Sequence, residues 1–99
     1  MNIRIIEERF EIDRRTGERS AVLTDDRTFP AILGTVMEMP VGKRNFYVDG
    51  ADENSVTVTV RYEKNPSANA TWNIPVGESI IYRPRSMDGG YKYTVCYTE

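Results

Sequence analysis

Ninety-nine residues, 39% of them apolar and 28% charged, with a net charge of -2, describe a chain that can bury one core and not two. That balance lies far from disordered compositions, and so small a charge supplies no field that would select nucleic acid or an anionic membrane as partner. A single cysteine rules out an internal disulfide, and the lack of any histidine removes the usual general base, the commonest metal ligand and every Ser-His or Cys-His nucleophile pair.

A small domain without disulfide staples fits a reducing, cytoplasmic compartment. The N-terminal apolar run is broken by Arg4 and again by Glu7, too early for the h-region of a signal peptide. No stretch approaches the roughly 18 apolar residues of a membrane span. Asn69-Ala70-Thr71 matches the glycosylation pattern, but three-residue patterns recur by chance.

In chain order, Ile3 and Ile5 share one parity, whereas Ile6, Phe10 and Ile12 share the other. A strand here needs a bulge near Ile5 and Ile6 to keep its apolar residues on one side. A helix accommodates Ile3, Ile6 and Phe10 about as well. The strand is preferred because Arg15-Thr16-Gly17 can close a hairpin onto Ala21, Val22 and Leu23. Charges of alternating sign (Glu7, Glu8, Arg9, Glu11, Asp13, Arg14, Arg15) read as a solvated surface.

Residues 28–34 can form a short helix capped by Thr28, with Pro30 in its first turn and Gly34 at its end. Phe29, Ile32, Leu33 and Val36 would form its apolar side; an extended crossing segment stopped by Pro40 fits nearly as well. Residues 44–49 form the next strand, with Phe46 and Val48 inward and Asp49-Gly50 turning it.

The second half alternates more regularly. Within residues 55–64, Val56, Val58, Val60 and Tyr62 fall on one face and Ser55, Thr57, Thr59, Arg61 and Glu63 on the other, the period of a half-buried strand. Trp72, Ile74 and Val76 alternate next, then Ile80, Ile81 and Tyr82, then Tyr91, Tyr93, Val95 and Tyr97. Asn65-Pro66-Ser67, Gly77-Glu78 and Asp88-Gly89-Gly90 punctuate these runs with connections too short for parallel crossovers. Residues 55–99 therefore read as two hairpins in a meander. The whole chain, residues 1–99, is predicted to be a single all-β domain, with at most one short helix. It is a small antiparallel β-sandwich or β-barrel of about seven short strands.

Catalysis would have to fall to carboxylate pairs, for which Asp25-Asp26 and the set Asp49, Asp52 and Glu53 are available. Adjacent acids in turns serve the turn itself far more often, and residues 49–54 miss calcium-loop spacing. Cys96, between Thr94 and Thr98, reads as a partly buried filler with no nearby cation on its own strand. No catalytic residue, metal site or cofactor is assigned.

The aromatic set is the feature that could carry a function. Tyr62, Trp72, Tyr82 and Tyr91, with Arg83 and Arg85 among them, make a candidate binding face. Tyrosine and arginine are enriched at protein interfaces, and aromatics beside basic residues also hold single-stranded nucleic acid in small barrels. Plain core packing accounts for the same alternation, and a nucleic-acid reader ordinarily carries a basic footprint that this chain lacks. The sequence therefore predicts a non-enzymatic module for protein-protein interaction or homo-oligomeric self-association. A nucleic-acid-binding barrel is the alternative, and no membrane partner is expected.

Overall fold

A computed structural model describes residues 1–62, 66–84 and 90–99 of the chain. Eight strands succeed one another: β1 (Asn2–Ile12), β2 (Arg19–Pro30), β3 (Val36–Met39), β4 (Arg44–Ala51), β5 (Ser55–Val60), β6 (Ala70–Pro75), β7 (Ser79–Tyr82) and β8 (Gly90–Thr98). One 3-10 turn at Pro66–Ala68 interrupts them. All pairings are antiparallel and build two four-stranded sheets, ordered β2-β1-β8-β7 and β3-β4-β5-β6.

The strands follow one another around the molecule in chain order, and β8 returns to pair with β1. This is the circuit of an eight-stranded up-and-down barrel, flattened into a sandwich by two seams where neighbours are not hydrogen-bonded, β2/β3 and β6/β7. The two sheets share one dry interior. Ile3 and Ile5 of β1 stand opposite Tyr97 and Val95 of β8, and Val56 and Val58 stand opposite Ile74 and Trp72. Met37, Met39, Phe46, Val48, Val60 and Tyr93 complete the fully buried set, as period-two alternation requires. At one end Tyr97 Oη donates to the backbone carbonyl of Asp52 in the β4–β5 turn, tying one sheet to the other.

Several local expectations change. Residues 2–12 are strand, not helix, but β1 runs unbroken along β8; the bulge lies across from it in β2, where Thr24 is the extra residue between partners of Glu7 and Glu8. Residues 28–30 finish β2 instead of starting a helix, and an eighth strand, β3, follows. Extended pairing with β1 and β4 satisfies more backbone there than one or two helical turns could.

Asp49-Gly50 is a bulge inside β4, and the chain reverses later, where Asp52 Oδ1 accepts from the amides of Asn54 and Ser55 at 2.7 and 2.9 Å. The two hairpins of the second half form, β5–β6 and β7–β8, but the chain changes sheets between them at Gly77, whose φ of +83° suits glycine. β5 stops at Val60, so Arg61 and Tyr62 are not part of the expected 55–64 strand, whose residues 63–64 lie outside the described residues, as does the Asp88-Gly89 turn.

Candidate functional site

The sequence-derived face is only partly open to the surface. Tyr62, Trp72, Tyr82 and Tyr91 are half-buried and pack against the core from its inner side. Three of them meet: the Tyr62 and Tyr82 hydroxyls share a hydrogen bond, and the Trp72 and Tyr82 rings lie 5.0 Å apart. Tyr91 joins through Tyr93, with centroids 6.3 Å apart, and Tyr93 lies 6.2 Å from Tyr82. The Arg44 guanidinium stands 5.0 Å from the Tyr62 ring centre. Arg83 is exposed and reaches over Phe10 at 5.8 Å, apart from the ring cluster, and Arg85 lies outside the described residues.

These rings fill one end of the sandwich and close the β6/β7 seam. Burial, and then the bond to Tyr62, pushes the Tyr82 hydroxyl far above the ordinary phenol value of 10. Tyr93 is shifted the same way, by burial first and next by the neighbouring Glu7 carboxylate.

Glu7 is the residue the charge pattern concealed. It is fully buried, in the inward row that Ile3 and Ile5 begin, not on a solvated surface. Its carboxylate accepts from the Thr24 hydroxyl at 2.6 Å and from the Gly42 amide at 3.1 Å. The β2 bulge is what turns Thr24 toward it. Gly42 belongs to the other sheet's β3–β4 connection and approaches so closely that a Cβ there would collide with Tyr93 Oη and crowd Glu7 Oε2. Parity with Ile3 and Ile5 was the signal in the sequence.

The acidic residues weighed for chemistry are dispersed and engaged. Asp25 pairs with Arg27 at 2.8 Å and Asp26 with Arg4 at 2.6 Å on β2, while Asp49 binds Thr59 and Arg61 on the outer face of the second sheet. Among the described residues no three metal-binding side chains gather. Cys96 is half-buried opposite Arg4 on β1, a cation its own strand could not reveal.

The surface that is open lies elsewhere. The β1–β2 hairpin runs past the end of β8, whose pairing stops at Phe10, and every residue from 11 to 23 is exposed. On this overhang Ile12 is 52% exposed, next to it Leu23 is 61% and Val22 39% exposed, and across the sheet on β7 Ile81 is 53% exposed. Leu23, Ile12 and Ile81 lie on the outer face of the sheet and Val22 on the inner, as their partners Glu8, Arg19, Thr94 and Arg9 show. A second exposed apolar group, Ile32, Leu33 and Val36, follows β2. No helix among the described residues is long and apolar enough to cross a membrane. Compared with known protein families, curated proteins and solved structures, the chain matches none.

Replacing Glu7 tests the tie between the sheets. Glu7→Ala leaves a cavity and strands the Gly42 amide, so chemical denaturation is expected to show a loss of about 2–4 kcal/mol. Glu7→Gln keeps an acceptor for Gly42 and offers a donor to Thr24, whose hydroxyl can rotate to accept it, so a loss below about 1 kcal/mol is expected. Gly42→Ala is expected to cost about 1–3 kcal/mol by overpacking.

The tyrosines give a pH signature. Because the folded values of Tyr82 and Tyr93 lie above the unfolded value of 10, their stabilisation is full below that pH. It is lost as the pH climbs from there through the folded values. Absorbance at the phenolate band is expected to show these two groups ionising only together with unfolding.

Proposed function

We propose that this chain is a small cytoplasmic, non-catalytic module that binds protein through the overhanging part of its first sheet. One observation carries the reading: apolar side chains stand exposed on both faces of the β1–β2 strand pair, beside a β2 edge that pairs with no other strand among the described residues. A lone exposed leucine means little, but apolar residues grouped at an open strand edge are what partner strands and partner faces bind.

The charge pattern suits a protein partner. Outward ion pairs on the same sheet alternate in sign: Lys92 lies 3.9 Å from Glu8, and Arg4 holds Asp26. Such a surface offers register and specificity to a partner of mixed charge, and no continuous basic track for a phosphate backbone. Base stacking would also need open aromatic faces, whereas Trp72 and Tyr82 pack on each other at 5.0 Å.

Titration with a mixed-sequence single-stranded oligonucleotide at low salt separates the two readings. Unchanged Trp72 fluorescence, with a protein-like absorbance ratio at 260 and 280 nm for the purified chain, is the expected result. Saturable quenching that weakens steeply with salt would replace the protein-binding reading with the nucleic-acid one.

A further inference from the structure

The four sheet edges are not equally open. β3 and β7 have only four residues each, and β6 ends in Pro75 and lies along β7, with Trp72 against Tyr82 across the seam. Short strands, proline and mutual cover are the ordinary ways of closing an edge. β2 differs: it has twelve residues and the outermost place in its sheet. Its second half is blunted by the Thr24 bulge and by Asp25, Asp26 and Arg27, all engaged in bonds of their own. Its first half, residues 19–23 (Arg-Ser-Ala-Val-Leu), has no bulge, a single charge at Arg19, and is exposed throughout.

We infer that residues 21–23 pair antiparallel with the same three residues of a second copy, about a two-fold axis at Val22, joining two four-stranded sheets into one of eight strands. This rests on the protein-binding reading above and names its partner. The register follows from symmetry. In an antiparallel joint between identical edges, directly opposed residues share a face. An axis between two residues would set Val22 against Leu23, which face opposite sides, so the axis must pass through a residue.

Centring on Leu23 drives the bulge and Asp25 into the joint. Centring on Ala21 sets Leu23 against Arg19 and Val22 against Ser20, and leaves Ala21 against itself as the one apolar pair. Centring on Val22 instead sets Val22 against Val22 and Ala21 against Leu23 on both sides. The bulge then ends the ladder, so the pairing cannot run on along β2. A joint this short gives a weak dimer that forms with concentration.

Sedimentation or light scattering over a concentration series tests it with Val22→Lys and Val22→Glu. The wild type is expected to move from 11.3 kDa toward twice that mass. Each variant alone is expected to remain at monomer mass with an unchanged melting curve, because like charges then meet at the axis. Mixing the two variants is expected to restore the dimer.

A wild type that stays monomeric to about 1 mM overturns the self-pairing and leaves the protein-binding reading to the oligonucleotide titration. A wild-type dimer that both variants retain, or that their mixture fails to restore, overturns the β2 register while the module still self-associates. Should a Val22 variant fail to fold, Ala21→Glu mixed with Leu23→Lys reads the same register. The mixed dimer must then exceed both homodimers, and its failure to do so counts against the joint.

Discussion

A carboxyl group in the middle of an apolar row is costly unless its oxygens find donors, because leaving water behind sacrifices several kcal/mol of solvation. Glu7 occupies such a place, one step along the inward row after Ile3 and Ile5, and both donors it finds come from elements that must bend to reach it. Thr24 is delivered by a bulge that shifts the β1–β2 register, and the Gly42 amide by a connection in the opposite sheet that has no space for a side chain. The local irregularities of β2 and of the 40–43 connection thus answer to one buried group. At the other end of the sandwich the Tyr97 hydroxyl on the Asp52 carbonyl makes the corresponding link between sheets.

The bulge has a consequence beyond satisfying Glu7. It divides β2 into a stretch where Asp25, Asp26 and Arg27 guard the edge and a stretch where Val22 and Leu23 stand exposed. An open edge is hazardous in proportion to its length and regularity, since any extended chain can add to it. Confining the open part to five residues, stopped by a bulge on one side and by the Gly17 turn on the other, limits what can pair there. The constraint that stabilises the interior also shapes the longest sheet edge among the described residues.

The alternation of residues 55–60 and 91–97 was legible because those strands have one dry and one wet face and no irregularity, so parity alone gives strand and core together. β1 was harder. Its wet-face residues Ile6 and Phe10 are themselves apolar, and its dry face carries Glu7, so the two parities compete and sign-alternating charge hides the buried acid. The bulge expected in β1 is absent: Ile6 and Phe10 stay on the face opposite Ile3 and Ile5, and the irregularity lies in β2 instead. No local pattern reveals that Thr24 rather than Ile5 or Ile6 absorbs the extra residue, because the cause is a tertiary hydrogen bond. The crossing from β6 to β7 was equally hidden: a short glycine turn serves a hairpin or a change of sheet alike.

The same limit applies to the aromatic residues. Parity identifies which side chains share a face without saying whether that face is dry. Tyr62, Trp72, Tyr82 and Tyr91 do share one, and packing against Phe46 and Tyr93 turns it inward at the end of the sandwich, where the Tyr62–Tyr82 hydroxyl bond satisfies the polar tips that burial would otherwise isolate. With those rings sealing the β6/β7 seam, the circuit of strands is nearly closed on that side and open on the other. Binding energy at an edge of this kind comes from main-chain groups with no partner and from a few apolar side chains beside them. On the proposed reading, binding falls to a segment, Arg-Ser-Ala-Val-Leu, whose composition alone would never mark it out.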